Sequence, residues 1–144
     1  MITVRNILQS KGSEVWTVSP STSVFEALGI MAKHDVGALL VMEADEVIGV
    51  FSERDYARKV ILRGKSSREI TVSQIMSLDV VSVTLHHSIE ECMELMTGHR
   101  IRHLPVLDEQ NLVGVVSIGD VVKAMISDRE YTIKLLENFI TGTR

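Results

Sequence analysis

Gly49-Val50-Phe51-Ser52-Glu53-Arg54-Asp55 returns later in the chain as Gly114-Val115-Val116-Ser117-Ile118-Gly119-Asp120, and the match extends far to the N-terminal side of both stretches. Val18 to Tyr56 lies over Val83 to Val121 without a gap at a constant offset of 65 residues, 114 against 49. Identities along it include Val18/Val83, Ser23/Ser88, Glu26/Glu91, Met31/Met96, His34/His99, Leu39/Leu104 and Val41/Val106, and most other pairs exchange one aliphatic residue for another. A self-similar unit of this length, present twice, reads as two copies of one supersecondary unit packed face to face. The seam between the copies is then the natural place for a ligand.

Within each copy the pattern reads β-α-β-β-α. Glu14 to Val18 and Asp79 to Val83 are short β-prone runs, each followed by a polar turn. Val24-Ala27-Leu28-Met31 and Ile89-Cys92-Met93-Met96 carry apolar residues at three- and four-residue spacing, which predicts two amphipathic helices. Ala38 to Met42 with Val47 to Phe51, and His103 to Leu107 with Leu112 to Val116, predict two hairpins joined by short polar connectors. A second helix begins near Glu53 and near Ile118. Thr3 to Leu8 also matches Thr71 to Met76, but at an offset of 68, which leaves the first copy three extra residues around Gln9-Ser10-Lys11-Gly12. Division is expected at 1–65 and 66–127, with an unmatched, helical tail at 128–144 that covers the core or an oligomer contact.

Composition narrows the function classes. The chain has 144 residues, 45 % hydrophobic and 24 % charged, enough for a real core and ordinary for a soluble globular protein. A net charge of −4 gives no electrostatic reason for binding a phosphate backbone, so no nucleic-acid partner is expected. No apolar run approaches membrane-spanning length, and Met1 to Asn6 lacks the features of a secretory signal. The single cysteine, Cys92, cannot form an internal disulfide and agrees with a reducing, cytoplasmic setting. Catalysis is not expected, because no nucleophile elbow is present and Cys92 falls on an apolar helix face. His86, His87, His99 and His103 have no recognisable metal-ligand spacing, so no metal is expected either.

The doubled Gly-x-x-Ser-x-x-Asp admits two readings that can coexist. Ser with an acidic residue three positions on is a helix capping box. A strand ending in Ser and a helix carrying Asp in its first turn also bring hydroxyl, carboxylate and free amides to one point. Those groups suit a ribose diol and a phosphate, since a carboxylate accepts sugar hydroxyl protons and a helix N-terminus favours anions.

Together with Met-x-x-His-x-Val-Gly-Ala-Leu at Met31 to Leu39 and Met-x-x-His-Arg-Ile-Arg-His-Leu-Pro-Val at Met96 to Val106, the chain resembles the cystathionine-β-synthase (CBS) domain family, specifically a stand-alone tandem pair or Bateman module, from about Thr3 to Ile126. The resemblance implies an α/β (α+β) fold of two pseudo-twofold-related repeats packed through their sheets. It also implies two clefts for adenosine-containing ligands such as AMP, ADP, ATP, NAD(H) or S-adenosylmethionine, and a disc-like homodimer. Carried over, the first cleft would use Val50, Ser52 and Asp55 with Val80, Val81, Ile101, Arg102 and His103. The second would use Val115, Ser117 and Asp120 with Trp16, Thr22, Ala27, Val36, Gly37 and Ala38.

Charge separates the two clefts. The first gathers Arg54, Arg58, Lys59, Arg100, Arg102 and His103, where the second has Gly119, Val122, Asp35, Gly37 and Ala38. A phosphate is therefore expected in the first cleft, near Arg54, Arg102 and His103, with the ribose on Asp55; a dinucleotide would reach on to Asp120. Arg58 and Lys59 also read as solvated helix residues, and His34 and His99 as helix-end caps. The function this implies is a non-enzymatic regulatory sensor of an adenine nucleotide, acting on an effector protein. The alternative is a ligand-free dimerisation or interaction scaffold.

Overall fold

The computed structural model describes residues 1–141. Helix α1 (Val4–Lys11) is followed by strand β1 (Thr17–Val18), helix α2 (Val24–His34), the hairpin β2 (Ala38–Glu43) and β3 (Glu46–Ser52), and helix α3 (Glu53–Tyr56). The second copy supplies helix α4 (Ile89–His99), the hairpin β4 (His103–Asp108) and β5 (Asn111–Ser117), and helix α5 (Ile118–Thr141). The expected α/β architecture of two repeats is present. Both hairpins turn through left-handed residues, Ala44 in the first and Glu109 and Gln110 in the second.

The expected first strands are shorter than the sequence reading placed them, and the two repeats differ. β1 runs parallel to β2 with Thr17 opposite Leu40 and Val18 opposite Val41, and the Leu40 amide donates to the Trp16 carbonyl at 3.3 Å. The residue equivalent to Leu40 is Pro105, which has no N–H to give the Val81 carbonyl. Parallel pairing in the second copy accordingly shrinks to one bridge, Val83 against Val106. The helices after the hairpins differ too. α3 lasts four residues and passes into a π-helical turn at Ala57–Ile61, whereas α5 continues unbroken for 24 residues through most of the segment read as a separate tail. Residues 142–144 of that tail lie outside the described residues.

Each repeat's core is completed by the segment preceding the other repeat. Val4, Ile7 and Leu8 of α1 are buried among Ile89, Cys92, Met96, Leu104, Val106, Val116 and Val121. Reciprocally, Val72 and Ile75, from the connector, are buried among Val24, Ala27, Met31, Leu39, Val41 and Phe51. Backbone bonds seam each arm in place: Val4 N–H to the His87 carbonyl at 2.9 Å and Ile89 N–H to Ile2 at 3.1 Å, matched by Val72 N–H to Thr22 at 2.8 Å and Val24 N–H to Ile70 at 3.0 Å. The division of cores therefore does not follow a cut between residues 65 and 66. Residues 1–11 pack with the second repeat and the stretch around 70–76 with the first. Burying one such Val, Leu or Ile side chain stabilises by about 1.5–3 kcal/mol, so several of them tie the repeats into one unit.

The arms also explain the glycine that opens each motif. A Cβ on Gly114 would stand 2.8 Å from a Leu8 methyl, and one on Gly49 would stand 2.6 Å from the Met76 sulfur and 3.1 Å from the Ser77 carbonyl oxygen. Glycine within a strand marks such a close approach. We expect Gly114→Val to lower stability to urea by about 1–3 kcal/mol through overpacking, and Leu8→Ala in that background to recover part of the loss. Equal, additive losses from the two substitutions would contradict this contact.

Candidate functional site

Both Ser-x-x-Asp copies are capping boxes in the folded chain. Asp55 N–H donates to Ser52 Oγ at 3.2 Å, while Ser52 N–H and Oγ both donate to Asp55 Oδ2 at 3.0 Å. In the second copy Asp120 N–H donates to Ser117 Oγ at 3.2 Å and Ser117 N–H to Asp120 Oδ2 at 2.9 Å. The two carboxylates differ in what remains available. Asp55 spends its other oxygen on Lys59, whose Nζ lies 3.2 Å from Oδ1 and also donates to the Ile75 carbonyl at 3.0 Å. Asp120 takes Lys11 on the already occupied Oδ2, at 2.6 Å. Its Oδ1 has no partner among the described residues.

A cavity of about 490 Å³ opens at Asp120 between the two repeats. That volume lies in the range of small-molecule sites. Of the second-cleft residues named from the sequence, Val115, Ser117, Asp120, Trp16, Val36, Gly37 and Ala38 all line it. Ala27 does not, because it is fully buried in the first repeat's core. Thr22 does not either: its carbonyl holds the Val72 amide at the arm joint and its hydroxyl accepts from the Ser19 amide. Asp35, set in this cleft by the charge comparison, lines it too, as do Lys11, Gly12, Glu14, Val15, His34 and Leu40, which the sequence did not single out for it. His34 is not a helix cap; its ring stacks on Trp16 with centroids 3.5 Å apart and planes 9° from parallel. His99 instead faces Asp79, Nδ1 to Oδ1 at 3.5 Å.

The residues assigned to the first cleft do not gather in the same way. Val50 exchanges both backbone hydrogen bonds with Ser77, at 3.0 and 2.9 Å, so that strand edge is already covered. Val81 and Ile101 pack against the second repeat's core, and Val80 is half-buried. Arg54, Arg58, Arg100 and Arg102 are exposed, and among the described residues Asp55 pairs with Lys59 alone. His103 lines the cavity at Asp120.

Electrostatics within the cavity follow from burial and from Lys11. Burial pushes the Asp120 carboxyl up, but the hydrogen bond and charge of Lys11 and the Ser117 amide outweigh it and hold the carboxyl below its ordinary value. His103 is lowered chiefly by burial, with Lys11 and Arg102 adding to the effect and Asp120 opposing it. Elsewhere, burial pushes the Cys92 thiol up to about 11, which makes it a packing residue rather than a nucleophile. Among the described residues, no cluster of three or more His, Cys, Asp and Glu side chains could hold a metal ion, and no helix is long and apolar enough to cross a membrane.

Comparison with known proteins agrees with the doubled architecture. The CBS domain profile matches residues 4–62 and again 72–127. The chain is 37 % identical over 150 residues to the mitochondrial CBS domain-containing protein CBSX3 of Arabidopsis thaliana, covering 97 % of this chain and 72 % of that protein. It is 37 % identical over 116 residues to the CBS domain-containing protein YhcV of Bacillus subtilis, covering 81 % of this chain and 82 % of the relative. A solved structure from Burkholderia ambifaria, described as a signal-transduction protein with CBS domains, superposes with a TM-score of 0.84 at 47 % identity, over 88 % of this chain and 95 % of the other. The chain belongs to the CBS domain family as a tandem pair.

His103 predicts a pH dependence whose sign can be worked out. Its folded value lies below the ordinary 6.5, so the unfolded chain takes up a proton first as pH falls. Its contribution to stability is complete above pH 6.5 and is lost as pH falls from there through the folded value. We expect His103→Gln to flatten the stability profile below pH 6.5, read from urea midpoints across pH. An unchanged slope would remove His103 as the cause.

Proposed function

We propose that this protein is a non-enzymatic regulatory module that binds an adenine nucleotide, AMP, ADP, ATP or NAD(H), between its repeats. The observation that carries the reading is the Asp120 carboxylate with an open Oδ1, held at the mouth of helix α5 in a cavity walled by both copies. A carboxylate at a helix start suits a ribose diol, and the aliphatic walls Val36, Leu40 and Val115 with the Trp16 ring suit a purine. Ligand spanning the cavity would touch both repeats, and it would shift their relative orientation only to the extent that it binds one arrangement better. The first cleft is then the secondary position, reversing the order that charge alone implied, because Lys59 and Ser77 already occupy Asp55 and Val50.

The same reading places the module in a reducing, cytoplasmic setting, with the buried Cys92 as its single thiol. It also makes the module a homodimer, as the family resemblance implies. Phe25, Ile61, Leu62, Val122 and Ile126 are exposed apolar residues that a second copy would cover. An effector protein would read the resulting change of shape.

Asp120→Asn keeps a carbonyl oxygen for the Ser117 amide while removing the charge. We expect it to weaken AMP binding at least tenfold by calorimetry, in line with about 1.5–3 kcal/mol for a hydrogen bond to a charged group, and to leave the fold intact. Wild-type protein saturated at 100 times the dissociation constant gains about 2.7 kcal/mol of stability. Absence of any thermal shift with all four nucleotides, together with no small molecule in mass spectra of gently purified protein, would favour the scaffold reading.

A further inference from the structure

Lys11 carries the one fixed positive charge among the residues lining the cavity, which otherwise include the acidic Glu14, Asp35 and Asp120. It comes from the three-residue excess in the first copy, so the second repeat has no equivalent. Its contact with Asp120 is the one ion pair it makes among the described residues, and the chain behind it turns at Gly12, where φ is +97°. Lys59, the cation on Asp55, is instead tethered a second time through the Ile75 carbonyl.

Asp120 Oδ2 already takes two donors, the Ser117 amide and the Lys11 ammonium. A diol gripping both carboxylate oxygens needs one of those positions, and a carboxylate oxygen has about two to offer. The Ser117 bond is part of the capping box, whereas the ammonium sits at the end of a long side chain with rotatable bonds. An ammonium driven off Asp120 is left without its counter-ion unless the ligand brings one.

We propose that Lys11 is the residue that selects phosphorylated ligands: it guards Asp120 while the cavity is empty and moves onto the ligand's phosphate when the ribose takes the carboxylate. This rests on the nucleotide reading above. A free nucleoside would displace the same ammonium and bring no anion of its own, leaving only Glu14 and Asp35 of the lining to face it. With Lys11 gone, an anionic phosphate would enter a cavity lined by three carboxylates and no fixed cation.

The test is calorimetry of AMP and adenosine against wild type, Lys11→Met and Lys11→Arg. Lys11 is an exposed residue at the end of α1, and circular dichroism checks that each variant keeps its fold. We expect wild type to prefer AMP, Lys11→Met to lose AMP affinity at least tenfold while adenosine binding holds or tightens, and Lys11→Arg to retain the preference. Equal losses for AMP and adenosine in Lys11→Met would overturn the role of Lys11 and leave the nucleotide reading standing. Failure of wild type to bind any of AMP, ADP, ATP, NAD(H) and adenosine would overturn both.

Discussion

The exchange of arms between the two halves is the constraint on which the rest of the structure depends. Neither hairpin-and-helix unit closes its own core: the second needs Val4, Ile7 and Leu8, and the first needs Val72 and Ile75. Because each arm is covalently part of the other half's chain segment, closing one core fixes where the other must sit. The hydrophobic effect has no direction of its own. Here chain connectivity gives it one, and the gap left between the halves becomes a shaped cavity rather than a flexible crevice.

The same exchange accounts for the glycines at the head of each motif. Leu8 and Met76 occupy equivalent places, over Gly114 and Gly49, and a side chain at either glycine would push the arm off the strand. Motif and arm are therefore one device. The glycine admits the arm, the serine ends the strand and caps the helix, and the aspartate closes the capping box while keeping an oxygen for other work in the second copy.

Much of this was readable from residues. Three- and four-residue apolar spacing located α2 and α4, and paired apolar runs with short polar connectors located both hairpins, because those periods follow directly from which face each element buries. The loss of the strand at Val83 was written in Pro105, whose missing amide matters only once parallel pairing with the preceding run is known. Which core each arm enters was not readable: the offset of 68 shows that Thr3 to Leu8 and Thr71 to Met76 are equivalent, but equivalence is satisfied by self-packing as well as by exchange. Lys11 was hidden for a related reason. It sits in the excess segment, where the repeat offers no template, and its partner is on the far side of the chain. How the basic cluster around Asp55 is arranged was not readable, because charge counts by position along the sequence say nothing of direction; Arg54, Arg58 and Arg102 are exposed, and His103 lines the cavity at Asp120.

Helix α5 starts at the capping box of Asp120 and runs unbroken through Thr141. At 1.5 Å per residue, its 24 residues form a rod about 36 Å long. A lever of that length magnifies what happens at its root: a tilt of about 5° sweeps the far end through about 3 Å, by the geometry of a straight rod of that rise. Tyr131, Leu135, Phe139 and Ile140 ride on the outer part of the rod with their side chains exposed, so the pointer carries a greasy tip. Motion too small to disturb the packed halves would be large where another molecule could feel it.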